Sequence, residues 1–348
     1  MRINTAVILA AGLGTRLMPI TKNVPKPLLD IAGKPPVLRI IENMERAGLT
    51  DFLVVIKQEK EQLFMDAIPA RFNVKYVYQD QPTGMTDAIL MTRPYIDADF
   101  VVCAGDMIVP DDHVADVVRM QETAKPFGTL SLFKAGIDYV KGMGNVQLDD
   151  TGTVTRIIEK PPREELLSNI YSLPFYVFDT SIFEYLDACP VSSRGERELQ
   201  DAIQLGIDDE KILKGVVLNR EFSADEAEFK RQLASLNITD VRDYFTTCMN
   251  VLAEEGMHVP MDLLCTLIEP VLIQESSSIS DNVMIGPNAI IGHDVMIDGL
   301  TEISHAIVQD HCKIGKRCSI EHAIIMNGAT VEDGTEIKGT PSDIKIIE

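Results

Sequence analysis

Two hydrophobic rhythms divide the chain. From residue 5 to about 135, short apolar runs alternate with stretches whose apolar residues recur at helical spacing, the pattern of a parallel sheet with crossover helices. The runs Ala6 to Ala10, Phe52 to Ile56, Val74 to Tyr78, Phe100 to Ala104 and Thr129 to Phe133 read as strands. Between the first two, Val37, Ile40, Ile41 and Met44 mark one face of a helix from Pro36 to Ala47, and Gly48 stands where a helix stops. A second helix follows Gly84, with Ala88, Ile89 and Met91 on its apolar side. Beyond residue 140 the strands Asn145 to Leu148, Val154 to Ile158 and Phe175 to Phe178 read as an extension that completes the same domain. The charged segment Glu221 to Gln232 reads as a helix or a mobile excursion.

The C-terminal part keeps another period. Ile279, Ile285, Ile291, Ile297 and Ile303 recur every six residues, followed by Ser280, Gly286, Gly292 and Asp298, with Val283, Ala289, Val295 and Thr301 at a small or aliphatic position. Three such hexads build each triangular coil of a left-handed parallel β-helix, the aliphatic residue pointing inward and the next taking the corner. The register slips by one between Ile303 and Val308, resumes through Ile314 and Ile320, slips again to Ile325, and continues to Val331 and Ile337. The expected fold class is α/β with a mostly parallel sheet over residues 1–255, a linker over 256–269 and a left-handed β-helix of hexapeptide repeats over 270–348.

Length and charge narrow the function. At 348 residues the chain suits two domains, taking roughly 100 to 200 residues for each. A formal net charge of -21, with no Lys/Arg block, repels a phosphate backbone, so no nucleic-acid partner is expected. No apolar stretch approaches the roughly 20 residues of a membrane span. The opening Met1-Arg2-Ile3-Asn4 lacks a signal-peptide layout, so a cytoplasmic protein without membrane contact is expected. Six scattered cysteines lack metal-site spacing and read as reduced, mostly buried residues.

Against that acidity the first loop stands out. The strand from Ala6 empties into Leu9-Ala10-Ala11-Gly12-Leu13-Gly14-Thr15-Arg16, where two glycines let backbone N–H groups converge on an anion. Arg16 and Lys26, the latter in Val24-Pro25-Lys26-Pro27-Leu28, add two fixed charges at the same strand end, with Lys22 as a further candidate. That suits a polyphosphate. The loop lacks the Gly-Lys-Ser/Thr ending of a P-loop, and Leu17 breaks a G-x-G-x-x-G fingerprint.

These residues resemble the sugar-1-phosphate nucleotidyltransferases, or nucleoside-diphosphate-sugar pyrophosphorylases, that carry a C-terminal left-handed β-helix. The resemblance implies a Rossmann-like nucleotidyltransferase domain that joins UTP or dTTP to a hexose 1-phosphate with release of pyrophosphate, using Mg²⁺. It places Leu9, Ala10, Ala11, Gly12, Gly14 and Thr15 on the nucleotide, Arg16 on the departing pyrophosphate and Lys26 near the α-phosphate. Phosphoryl-type transfer needs such positioning and charge neutralisation more than covalent chemistry. Gln79, five residues before Gly84, resembles the base-reading glutamine, with Gln81 its rival; an amide matches the donor and acceptor edge of uracil or thymine. Asp106, after the strand ending Ala104-Gly105, resembles the metal aspartate, with strand-end helix capping as its plain structural alternative.

In the second half, Gly144, Glu159 and Lys160 resemble the sugar-phosphate segment, Glu159 accepting from hydroxyls and Lys160 meeting the phosphate. Ser172 heads Ser172-Leu173-Pro174, which replaces an Asn-Ala-Gly sugar contact, and Asn237 stands at the second metal position with Asp240 as runner-up. Gly84-Met85-Thr86 replaces the usual Gly-Thr. Two other readings remain. One is a regulatory or assembly subunit that binds nucleotide sugar without turnover. The other is acetyl transfer in the β-helix with His305, His311 or His322 as base, for which the few coils leave a cramped cofactor groove. The coils read first as a platform for a homo-oligomer.

Overall fold

The computed structural model describes residues 2–81, 83–136, 143–192, 195–223, 225–234, 236, 238–256, 258–260 and 263–348. By compactness the chain forms two units, one of Met1–Gly14, Val24–Leu29 and Pro36–Leu236, the other of Thr15–Asn23, Asp30–Pro35 and Asn237–Glu348. This partition differs from the bounds drawn on composition and repeat, because two short N-terminal pieces group with the C-terminal part.

The first unit runs β1 (Thr5–Leu9), α1 (Pro36–Ala47), β2 (Asp51–Ile56), α2 (Glu61–Ala67), β3 (Asn73–Tyr78), α3 (Met85–Leu90), β4 (Phe100–Ala104), α4 (Asp111–Ala124), β5 (Gly128–Lys134), β6 (Gly144–Leu148), β7 (Val154–Glu159), β8 (Ile170–Phe178), α5 (Ile182–Ala188), α6 (Leu199–Asp208), β9 (Leu213–Val217) and α7 (Glu226–Ala234). The sheet order is β3-β2-β1-β4-β8-β5-β9, with β6 joining β7 to β8. Strands β1 to β4 pair in parallel, and β8 enters antiparallel between β4 and β5. The extension beyond residue 140 is thus part of the same sheet. The charged segment around residue 230 is the helix α7.

Continuous apolar runs fit strands covered on both faces. Ala6, Ile8, Val54, Val101 and Cys103 lie in the core on one side of the sheet, and Val7, Leu53, Val55, Phe100 and Val102 in the core on the other. Helix α1 buries Val37, Ile40, Ile41 and Met44, the face expected from its spacing. In α4, His113 is 2% exposed and its Nε2 lies 2.7 Å from Ser131 Oγ on β5. Burial pushes this imidazole below its ordinary 6.5, with Asp116 and Asp112 opposing.

The second unit is a parallel β-helix entered through helix α8 (Val241–Glu255). Tyr244 Oη donates to Asp30 O at 3.0 Å, which ties the segment Asp30–Pro35 to α8. In the coils, Val271–Ile273 pairs with Ala289–Ile291, which pairs with Ala306–Val308, which pairs with Ala323–Ile325. The first step is three full hexads, and the later ones are a residue shorter, where the sequence register slips. Ile285, Ile291, Ile297 and Ile303 are buried, as are Val283, Ala289, Val295 and Thr301. The ladder starts earlier than expected, since Thr266–Leu267 pairs with Met284–Ile285 inside the stretch read as a linker. Two-residue strands give too little local pattern to show this. All six cysteines are free, and all but Cys265 are buried. No helix among the described residues is long and apolar enough to cross a membrane.

Candidate active site

Strand ends place the first half of the site. Beyond β1, Ala10 N donates to Val55 O at 2.8 Å, and Gly105 N donates to Leu9 O at 2.9 Å, so the β1 and β4 ends abut. A Cβ on Gly105 would lie 3.2 Å from Ile8 Cγ2 and Leu9 O and 3.3 Å from Ala10 Cβ, tight enough to push the two ends apart. This glycine therefore sets where Asp106 emerges. Asp106 Oδ2 and Lys26 Nζ form an ion pair, with the side chains 26% and 13% exposed. Lys26 opens a short 3-10 turn, Lys26–Leu28, started by the extended Pro25 and held by Leu28 N to Pro25 O at 2.8 Å.

The glycine loop is open. A Cβ at Gly12 would meet nothing within 4 Å, and Gly14 has φ 60°, a left-handed conformation that favours glycine. Leu9 ends β1, Ala10 and Ala11 follow it, and Thr15 opens the next turn. Arg16 sits on a 3-10 turn, Thr15–Leu17, with its side chain exposed, and groups with the second compact unit.

Gln79 is 5% exposed. Its Nε2 donates to Thr83 Oγ1 at 3.2 Å and to Gly84 O at 3.1 Å, so this amide braces the loop that leads into α3. Gly84 has φ 103°, which the chain uses to turn into that helix. Thr86, next to the departure from Gly-Thr, is fully buried.

The second half of the site lies on β6, β7 and β8. Gly144 pairs with Glu159 across β6 and β7, and Ser172 on β8 donates through Oγ to Gly144 O at 3.4 Å. A Cβ at Gly144 would fall 2.5 Å from Ser172 Oγ and 3.3 Å from Glu159 Oε2 and Gln200 Cγ. The space this glycine frees is thus taken by the chain's own side chains, although the resemblance assigns the position to the sugar-phosphate segment. Lys160 Nζ lies 3.1 Å from Glu159 Oε1, with Lys160 44% exposed and Glu159 9% exposed.

Tyr176 and Gln200 were missed. Both are buried against this group, and neither Tyr176 Oη nor Gln200 Oε1 has a well-aligned hydrogen-bond partner among the described residues. Burial pushes the Tyr176 hydroxyl well up; Ser172 and Gln200 nearby pull it down, and the Glu159 charge pushes it further up. The available signal was a tyrosine inside the apolar run Phe175 to Phe178, whose hydroxyl needs a partner when buried.

For a divalent ion, Asp106 offers a hard carboxylate oxygen at the carboxyl edge of β4, the donor class that Mg²⁺ prefers, and Lys26 supplies the counter-charge. Asn237 lies outside the described residues. Its rival Asp240 is the N-cap of α8, its Oδ1 accepting from Asp243 N at 2.9 Å, a structural use. A separate cleft of about 680 Å³ at the carboxyl ends of β5 and β9, lined by Lys134, Asn169, Leu218, Arg220 and Phe222 among others, contains none of the expected residues.

Comparison with known proteins bears on this geometry. Residues 5–222 match the family described as Nucleotidyl transferase, and residues 267–344 match the GMPPB C-terminal domain. The Bifunctional protein GlmU of Methanocaldococcus jannaschii is 36% identical over 219 residues, which is 62% of this chain and 49% of that protein, so the match spans about half of the relative's length. GlmU of Methanococcus vannielii is 31% identical over 334 residues, covering 92% of this chain and 77% of that protein. A Glucose-1-phosphate thymidylyltransferase of Streptomyces griseus is 26% identical over 96% of this chain and 90% of its own. Among solved structures, a UDP-glucose pyrophosphorylase complexed with UDP-glucose superposes with a TM-score of 0.61 at 20% identity, over 73% of this chain and 99% of that one, a likeness of fold.

Proposed function

The chain belongs to the nucleotidyl transferase family, among the sugar-1-phosphate nucleotidyltransferases, and from that premise we propose that it transfers a nucleotidyl group from UTP or dTTP to a hexose 1-phosphate in a Mg²⁺-dependent reaction that yields a nucleotide sugar and pyrophosphate. The observation that carries this reading is the Lys26–Asp106 ion pair at the carboxyl edge of the sheet, beside the open glycine loop. A cation and a hard carboxylate at one edge suit a triphosphate that arrives with a metal.

Lys26 neutralises charge near the α-phosphate, and Arg16, two residues past Gly14 in the chain, holds the departing pyrophosphate. The exposed Lys160, tethered to Glu159, orients the phosphate of the incoming sugar, whose oxygen displaces pyrophosphate from the α-phosphorus. Mg²⁺, when bound at Asp106, supplies Lewis acidity to the phosphate oxygens. Gln200 Oε1 and Tyr176 Oη, buried without aligned partners, offer an acceptor and a donor to sugar hydroxyls. The β-helix serves as the platform of a homo-oligomer.

One observation favours a second reading, the regulatory or assembly subunit: Ser172 Oγ fills the space beside Gly144. Pyrophosphate release, measured with UTP, dTTP, CTP, ATP and GTP against glucose, N-acetylglucosamine, galactose and mannose 1-phosphates, separates the two. Mg²⁺-dependent release with a uridine or thymidine donor supports the enzyme. Nucleotide binding with no release from any pair supports the subunit.

A further inference from the structure

The shortened coils of the β-helix bring two histidines into register. Ser304 pairs with Glu321 and Ala306 with Ala323, and between them His305 and His322 turn the corner in left-handed conformation, with φ 47° and 48°. Their rings therefore stack one coil apart, with centroids 4.8 Å apart and planes 33° from parallel. The stack ends at two. In the next coil Gly339 backs directly onto His322, where a Cβ would meet His322 O and, at 3.2 Å, His322 Cβ. The ring of Phe245, on α8 of the same unit, lies 6.5 Å from that of His322.

The stack leaves donors and acceptors unused. Nδ1 of each ring is buried and has no hydrogen-bond partner among the described residues. On the exposed side Glu321 Oε1 lies 4.0 Å from His322 Nε2, the glutamate side chain being 44% exposed and the histidine 15%. Among the described residues this is the one grouping of three His, Cys, Asp or Glu side chains whose ligand atoms all lie within 4.8 Å of one another. We propose that His305, Glu321 and His322 bind one divalent transition-metal ion of the zinc class, with a fourth position open to solvent.

Donor chemistry selects the ion. Two imidazoles and one carboxylate suit zinc, and cobalt in its place, whereas Mg²⁺ and Ca²⁺ prefer oxygen ligands only. A tetrahedral site with metal–ligand bonds of about 2.0 to 2.2 Å needs ligand atoms about 3.4 Å apart. The three ligand atoms, now within 4.8 Å of one another, close to that spacing by rotation of the exposed Glu321 side chain together with the two imidazole rings. Neutral imidazoles with one carboxylate leave a net positive ion, so the open position takes water or an anion. The site pins adjacent coils together at their corner. It stands on the β-helix alone and does not depend on the transfer reaction.

The test uses the intact chain, stripped with a chelator, dialysed, and titrated with Zn²⁺ by calorimetry and with Co²⁺ by visible absorption. One equivalent is expected per chain, with the intense d–d bands of low-coordinate Co²⁺, and with a melting midpoint that Zn²⁺ raises. H305N and H322N weaken Zn²⁺ by about tenfold or more, and E321Q, at an exposed position, weakens it while leaving the apo fold intact. H311N, a change at another histidine of the same domain, keeps the binding, and so does D106N, which removes a ligand of the proposed transferase site. Absence of a stoichiometric Zn²⁺ site, or a site that survives E321Q and either histidine change with equal affinity, overturns the assignment.

Discussion

Lys26 and Asp106 meet although six helices and strands, α1 through β4, separate them in the chain, the lysine coming from a 3-10 turn after β1 and the aspartate from the residue after Gly105 at the end of β4. Each gives the other its counter-charge. A triphosphate with its metal would compete for both, so either partner can be removed without unfolding the sheet beneath. Asp106→Asn is expected to lower Mg²⁺-dependent pyrophosphate release by about a hundredfold or more while shifting stability by about 1 kcal/mol or less, because the pair is partly solvated. Full activity in the variant, at unchanged Mg²⁺ requirement, would remove Asp106 from the metal role.

Gln79 separates bracing from base reading. Gln79→Glu deletes both donated bonds, to Thr83 Oγ1 and Gly84 O, and puts a charge in a site that is 5% exposed. If the amide mainly braces the loop, KM rises alike for UTP, dTTP and CTP. A base reader would instead lose its preference among them. The brace outcome is expected, and KM across the three nucleotides measures it.

Gly144 is confined by its own neighbours. Gly144→Ala puts a methyl 2.5 Å from Ser172 Oγ and is expected to cost about 1 to 3 kcal/mol in denaturant unfolding. Ser172→Ala removes the hydroxyl that is struck. The double variant should therefore recover part of the loss, with a coupling of about 0.5 kcal/mol or more. Strict additivity would mean that the two positions do not share the space.

Stability should carry a histidine signature. The His113 pKa is depressed in the folded state, so below pH about 6.5 the unfolded chain binds the proton more readily and stability falls as the pH drops toward the folded value. This group accounts for a slope of at most about 1.4 kcal/mol per pH unit in that window. Above it, the contribution is complete and flat. In His113→Gln that part of the slope should vanish, and unfolding at pH 5.5 and 7.5 for both proteins measures it.

Local pattern carried much of this architecture. The spacing of Val37, Ile40, Ile41 and Met44 marked α1 from Pro36 to Ala47, and the apolar run to Ala104 marked the strand that delivers Asp106. Both signals sit in consecutive residues. The place of β8 between β4 and β5 was not legible, because strand order depends on pairing over about 75 residues of chain and leaves no periodic mark. Strand β9 (Leu213–Val217) escaped notice for a related reason: only Leu213 is buried, and Lys214 and Gly215 interrupt the run. The Lys26–Asp106 pair was implicit in two separate motifs. The Gly144, Ser172, Tyr176 and Gln200 group was not, since it forms only when β6, β8 and α6 come together.

The segments Thr15–Asn23 and Asp30–Pro35 belong, by compactness, to the unit that ends in the coils, and Asp30 O is held by Tyr244. Grafting is therefore asymmetric in this protein. A chimera that keeps residues 1–236 and borrows another tail would inherit the glycines of the first loop but lose the mould in which the stretch bearing Arg16 sets. Replacement tails would have to bring α8 with them, so the practical unit of exchange begins near residue 237, ahead of the first coil.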